Sequence, residues 1–135
     1  MHVPYRKETH HLINKKTVEQ MKRGAILINT SRGGVVDTDA LLAGLETGKL
    51  AGAGLDVIEG EELVKEENAL LHAPANVEKW QEIVRDHKIF RMDNVVYTPH
   101  NAFNSTEALQ RIMDTSLENV RAASGELKNA GNRIV

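Results

Sequence analysis

The stretch Gly24-Ala25-Ile26-Leu27-Ile28-Asn29-Thr30-Ser31-Arg32-Gly33-Gly34 sets a short apolar run, Ala25 to Asn29, between a glycine and a polar loop closed by two more. An apolar run of this length between turn signals predicts a buried strand of the kind found in parallel sheets. Just downstream, Asp37 or Asp39 caps a helix over roughly 38–47, and Gly48 ends it. Ala51 to Val57 is a second apolar strand, and its glycines mean that something packs closely against its backbone. Strand, helix and strand at such short spacing predict a right-handed parallel βαβ unit, so the fold class is α/β.

The reading extends outward in both directions. Upstream, His2-Val3-Pro4 reads as the end of a buried strand running into a turn, because Pro4 has no N–H for a ladder. Asn14 then caps a short helix over roughly 15–22, with Gly24 as its stop. Downstream, Glu59 to Leu71 is acidic and predicts a loop with some helix. Val77, Trp80, Ile83 and Val84 give an amphipathic helix over roughly 77–87. Val95-Val96-Tyr97 is a third strand closed by Pro99. Ser105 caps a long helix running to about Ser124, and Gly125 ends it before a short polar tail.

Composition narrows the function classes. The 135 residues suffice for about one domain of ordinary size. Apolar residues make up 41% and charged residues 27%, an ordinary globular balance. A net charge of −2 argues against a broad nucleic-acid or anionic-membrane surface. With no cysteine there is no disulfide framework and no thiolate metal site. No apolar run approaches a membrane span. The segment MHVPYRKETHHLIN lacks the apolar core of a secretory signal, so a cytoplasmic location is the expectation. His10, His11, His72 and His87 show no metal-ligand spacing with carboxylates, so they read as surface residues and no metal site is expected.

Polar residues cluster where the predicted strands end. These are Arg32, Asp56, the Glu59/Glu61/Glu62 group and His100. In open α/β sheets ligands bind at the carboxyl ends of the strands, so residues far apart in sequence converge there. Arg32 offers a planar fork suited to a carboxylate, between small residues that let a ligand or backbone approach. A surface arginine in a polar loop has the same signature. His100 is a group able to give and take a proton near neutrality. A packed histidine bonded to a backbone carbonyl looks the same in sequence. Glu61 is placed to hold an imidazole and favour its protonated form, though an acidic stretch is also an ordinary solvated face. Asp56 suits a polar ligand group or a simple turn. The chain has no G-x-G-x-x-G, so a phosphate-gripping loop is absent from it.

His2-Val3-Pro4, the block GAILINTSRGGVVD at 24–37, Gly54-Leu55-Asp56-Val57 and Thr98-Pro99-His100 together resemble the later motifs of the D-isomer-specific 2-hydroxyacid dehydrogenases. Order and spacing agree over roughly residues 1–125. Pro99-His100-Asn101-Ala102-Phe103 is similar to the D-lactate dehydrogenase branch. The resemblance implies the second half of a Rossmann-type doubly wound parallel sheet over 1–100. It also implies a C-terminal crossover helix and tail over 101–135, returning toward a substrate domain.

By the same resemblance the cofactor is NAD and the small-molecule substrate a 2-oxo or D-2-hydroxy acid. Partners would be neither nucleic acid nor membrane, and the full-length protein would be a homodimer. Arg32 would bind the substrate carboxylate and 2-oxo oxygen, His100 would donate the proton, and Glu61 would pair with His100. Val3, Pro4 and Thr9 would line the adenine and ribose side, Thr30, Ser31 and Arg32 the nicotinamide side, and Asp56 would meet the carboxamide. The family's glycine loop precedes the position of His2, so the chain reads as a truncated one, marginally stable and weak or inactive alone. A non-catalytic scaffold of the corepressor type is the competing implication.

Overall fold

In the computed structural model, residues 1–60 and 77–124 are described. The chain divides into two compact units, Met1–His100 and Asn101–Val135. Each is taken by itself.

The first unit is built on a three-stranded parallel sheet in the order β1 (Ala25–Asn29), β2 (Leu50–Leu55), β3 (Val95–Tyr97). Ile28 pairs with Gly54, and Gly54 with Val96. Three described helices belong to this unit: α1 (Lys15–Gln20), α2 (Thr38–Glu46) and α3 (Val77–Phe90).

Local chemistry sets the helix ends. Asn14 Oδ1 accepts from the Thr17 amide at 3.2 Å, and Thr17 Oγ1 accepts from the Asn14 amide at 2.8 Å, a reciprocal cap on α1. Asp37, not Asp39, caps α2, accepting from the amides of Asp39 and Ala40. Gly48 follows at φ +64°, a left-handed turn that glycine adopts without strain.

One face of the sheet carries the core. Leu27, Ala53 and Leu55 pack with Val18 of α1, Leu41 and Leu45 of α2 and Ile89 of α3. Burying each large apolar side chain here stabilises the fold by roughly 1.5–3 kcal/mol. Gly44 lets α2 close onto Leu50 and Val18, where a Cβ would sit 2.9 Å and 3.1 Å from their side chains. The opposite face exposes Ile26, Ile28 and Val96.

Four boundaries differ from expectation. α1 stops at Gln20 rather than 22, because Met21 is extended and its amide turns back to the Val18 carbonyl. β2 ends at Leu55 rather than Val57: the Asp56 amide makes the last bond to β1, at the Asn29 carbonyl, and the Asp56 carbonyl turns to the His100 amide. α3 continues past His87 to Phe90, drawn in by the fully buried Ile89 and by stacking of Phe90 on Tyr97 at 4.2 Å. His2-Val3-Pro4 is not a strand. The chain touches β1 there through the Met1 ammonium, which donates to the Ile28 carbonyl at 2.6 Å, and Pro4 has no N–H to extend a ladder.

The second unit holds α4 (Thr106–Ala123), capped by Ser105 Oγ, which accepts from the Ala108 amide at 3.2 Å. Leu109, Ile112, Met113, Leu117 and Val120 form an exposed apolar stripe along it. Gly125, the expected stop, lies outside the described residues. Among the described residues no helix is long and apolar enough to cross a membrane.

Candidate active site

The carboxyl ends of all three strands are tied together through Asp56. Its amide donates to the Asn29 carbonyl of β1 at 2.9 Å. Its own carbonyl accepts from the His100 amide at 2.8 Å. Its carboxylate Oδ1 accepts from Thr98 Oγ1 at 2.5 Å. Asp56 is buried, so these bonds form where water competes little. The His100 amide also reaches the Thr98 carbonyl at 2.8 Å, and His100 sits at φ +53°. A left-handed backbone at a residue other than glycine persists only where its surroundings fix it, and here the Asp56 and Thr98 carbonyls do so.

Asn29 performs the matching task on β1. It is 1% exposed and closes the strand with its side chain turned along the loop. Its Oδ1 accepts from the Ser31 amide at 3.1 Å and from Ser31 Oγ at 2.8 Å, while its Nδ2 donates to the Arg32 carbonyl at 3.0 Å. The Thr30–Arg32 backbone is thereby set before any ligand arrives. Arg32 itself is exposed, with Nη1 donating to the Ser31 carbonyl at 2.7 Å. Sequence reasoning counted Asn29 only as the last strand residue. The available signal was an amide ending an apolar run, which must find partners once buried.

Gly33 and Gly34 are required for packing. A Cβ on Gly33 would lie 2.1 Å from the Ile58 carbonyl oxygen, so the loop leaving β2 rests directly on the loop leaving β1. A Cβ on Gly34 would meet the Tyr5 ring at 2.7 Å. The close approach foreseen at these glycines is therefore made by the protein's own backbone and by Tyr5.

Two clefts adjoin at this edge. One, of about 600 Å³, is lined by His2, Val3, Pro4, Tyr5, Thr30, Ser31 and Arg32. The other, of about 320 Å³, is lined by Tyr5, Arg32–Gly34 and Val57–Gly60. The structure thus brings Val3, Pro4, Thr30, Ser31 and Arg32 around one space. Thr9 is not among the lining residues. It holds the wall from behind, its Oγ1 donating to the Pro4 carbonyl at 2.7 Å and accepting from the Arg6 amide at 2.8 Å. Asp56 and His100 are joined to each other by the backbone bond above. Glu61 lies outside the described residues. Glu59 does not: its Oε1 bonds His11 Nε2 at 2.8 Å, across 48 residues of sequence.

Parallel strands with polar side chains gathered at their carboxyl ends define a nucleotide-binding type of α/β fold. Residues 1–102 match the model of the D-isomer specific 2-hydroxyacid dehydrogenase, NAD binding domain, and the chain belongs to that family. It is 42% identical over 131 residues to a glyoxylate reductase of Thermofilum pendens, covering 96% of this chain and 33% of the relative. It is 40% identical over 119 residues to a D-lactate dehydrogenase of Treponema pallidum, covering 87% of this chain and 34% of the relative. The crystal structure of D-lactate dehydrogenase from Aquifex aeolicus complexed with NAD and lactic acid superposes with a TM-score of 0.76 at 40% identity, over 93% of this chain and 36% of that one. The chain therefore spans about a third of the length of the relatives it matches.

Proposed function

We propose that this chain is the later half of the NAD-binding domain of a dehydrogenase that interconverts a 2-oxo acid and a D-2-hydroxy acid, on the D-lactate side of the family. The observation that carries the reading is the junction at Asp56, which ties the end of β1, where the Arg32 loop departs, and the backbone of His100 to one residue. Relatives named as glyoxylate reductases and D-lactate dehydrogenases support a 2-oxo acid as the substrate class.

The cleft beside β1 suits the cofactor. Its volume of about 600 Å³ is of the size that holds small ligands, with Val3 and Pro4 as an apolar wall and Thr30 and Ser31 as a polar edge. Val3, Pro4 and Thr9 serve the adenine and ribose side, Thr30, Ser31 and Arg32 the nicotinamide side, and Asp56 the carboxamide. The bound nicotinamide supplies the hydride for reduction.

The chain's own residues handle charge and proton. Arg32 pairs its guanidinium with the substrate carboxylate and orients the 2-oxo group. Reduction leaves negative charge on the 2-oxo oxygen, and His100 meets it with a proton. In the reverse direction neutral His100 removes the hydroxyl proton. Glu61 is the carboxylate that steadies protonated His100. The bond between Glu59 and His11 supports Glu61 over Glu59 for that role. The complete protein acts as a cytoplasmic homodimer in this reading.

The test is NADH oxidation with pyruvate in the protein that carries this chain. His100→Ala and Arg32→Ala each lower kcat/KM by about 100-fold or more. Full activity in His100→Ala would overturn the assignment. NADH binding with no turnover on any 2-oxo acid would favour a scaffold.

A further inference from the structure

We propose that His10, His11 and Glu59 form a site for one divalent transition-metal ion, with Zn²⁺ as the reference case. The site goes beyond the dehydrogenase reading and does not depend on it. One ring nitrogen of each histidine and one carboxylate oxygen of Glu59 all lie within 4.8 Å of one another. They come from two segments: the turn after Thr9 and the loop leaving β2.

The geometry is close to that of a bound ion. His11 Nε2 and Glu59 Oε1 are already 2.8 Å apart. Ligands of a tetrahedral zinc, each about 2.0–2.1 Å from the metal, stand roughly 3.3 Å from one another, so this pair need open by only about 0.5 Å. The ion then takes the place of the proton between them. His11 is held for the purpose. It sits at φ +48°, its amide donates to the Gly34 carbonyl at 2.9 Å, and its carbonyl accepts from Asn14 Nδ2 at 2.9 Å.

His10 supplies the third ligand. Its Nδ1 is 3.0 Å from Tyr5 Oη. When that nitrogen donates to the phenol oxygen, the lone pair resides on Nε2, the arrangement by which metal-bound histidines are oriented. The His10 and His11 rings are stacked with centroids 3.8 Å apart, which keeps the two rings on the same side of the turn. Capture of the ion turns the exposed His10 ring, while His11 and Glu59 part only by that small amount.

The donor set selects the metal. Two imidazole nitrogens and one carboxylate suit Zn²⁺, Co²⁺, Ni²⁺ or Cu²⁺, whereas Mg²⁺ and Ca²⁺ favour all-oxygen shells. Three protein ligands leave a position for water. Glu59 and Tyr5 line the same cleft as Arg32, so the ion would cross-link two walls of that cleft.

The experiment is a calorimetric titration of the 135-residue chain with Zn²⁺ in excess Mg²⁺, its fold followed by circular dichroism. One Zn²⁺ binds per chain. His10→Ala, an exposed change that leaves the fold intact, weakens binding by at least ~10-fold, as does Glu59→Gln. His87→Ala, on α3, leaves it within about twofold. Absence of stoichiometric binding overturns the site. So does binding that survives His10→Ala and Glu59→Gln, or that falls equally in His87→Ala. NADH and 2-oxo acid take no part, so failure here leaves the dehydrogenase reading untouched.

Discussion

Leu27 and Ile28 are neighbours on β1 with side chains of equal size, yet Leu27 is 6% exposed and Ile28 57%. Successive side chains on a strand point to opposite faces, so the two report on the two sides of one sheet. On the Leu27 side, α1, α2 and α3 supply Val18, Leu41, Leu45 and Ile89. On the Ile28 side, Ile26 and Val96 are exposed as well. Composition does not separate the faces, because both are aliphatic. What separates them is which side the described helices cover, and stability should follow that covering rather than hydrophobicity.

Mutations on the two faces test the contrast, in order of expected effect. Leu41→Ala, at a side chain 1% exposed, removes apolar contact and leaves a cavity, costing about 3 kcal/mol by the urea midpoint. A loss below about 1 kcal/mol would show that the covered face is loosely packed.

Asp86, 2% exposed on α3, comes next. Burial raises its pKa from 3.8 to about 6, against the opposing pull of Arg85 beside it at 3.3 Å. Between these two values the folded chain holds a proton that the unfolded chain has released. Stability from this group is therefore full below about pH 4, falls as pH rises toward 6, and is level above it. The change amounts to roughly 3 kcal/mol, and Asp86→Asn removes it from the pH profile of the urea midpoint. A profile unchanged in Asp86→Asn would mean that water reaches this carboxylate.

Asn29→Ala deletes three hydrogen bonds at the end of the covered face and costs about 1–3 kcal/mol. Amide exchange at Ser31 should quicken with it. Ile28→Thr, on the bare face, should change stability by less than about 0.5 kcal/mol. A loss above about 1 kcal/mol would mean that this face is covered in solution, and the comparison would fail.

The sheet was legible because its strands are short aliphatic runs between turn residues, and local pattern is enough for those. Ser105 was legible as a cap for the same reason, and Asp37 as one of two candidates beside Asp39: a cap bonds amides two and three residues on. Arg32, Asp56 and His100 were legible as candidates because strand ends in a parallel sheet must converge. His2-Val3-Pro4 misled, since an apolar residue before proline looks alike whether or not a neighbouring strand pairs with it. The bond between His11 and Glu59 was invisible, because no pattern links residues 48 apart without the fold. The glycines at 33 and 34 gave the right geometry and left the occupant open between ligand and backbone. A sequence shows that something comes close, and only coordinates show that it is Ile58 and Tyr5.

Asp56 also limits how this edge can be rebuilt. Its amide serves the end of β1, while its carbonyl and carboxylate both hold the segment that leaves β3. An inserted residue between Leu55 and Asp56 would put all three bonds out of step, and one between Thr98 and His100 would break the pairing of the last two. Loop grafting, or natural length variation, has to begin beyond these points. Segments farther out can then change length, while the junction beneath them keeps its own.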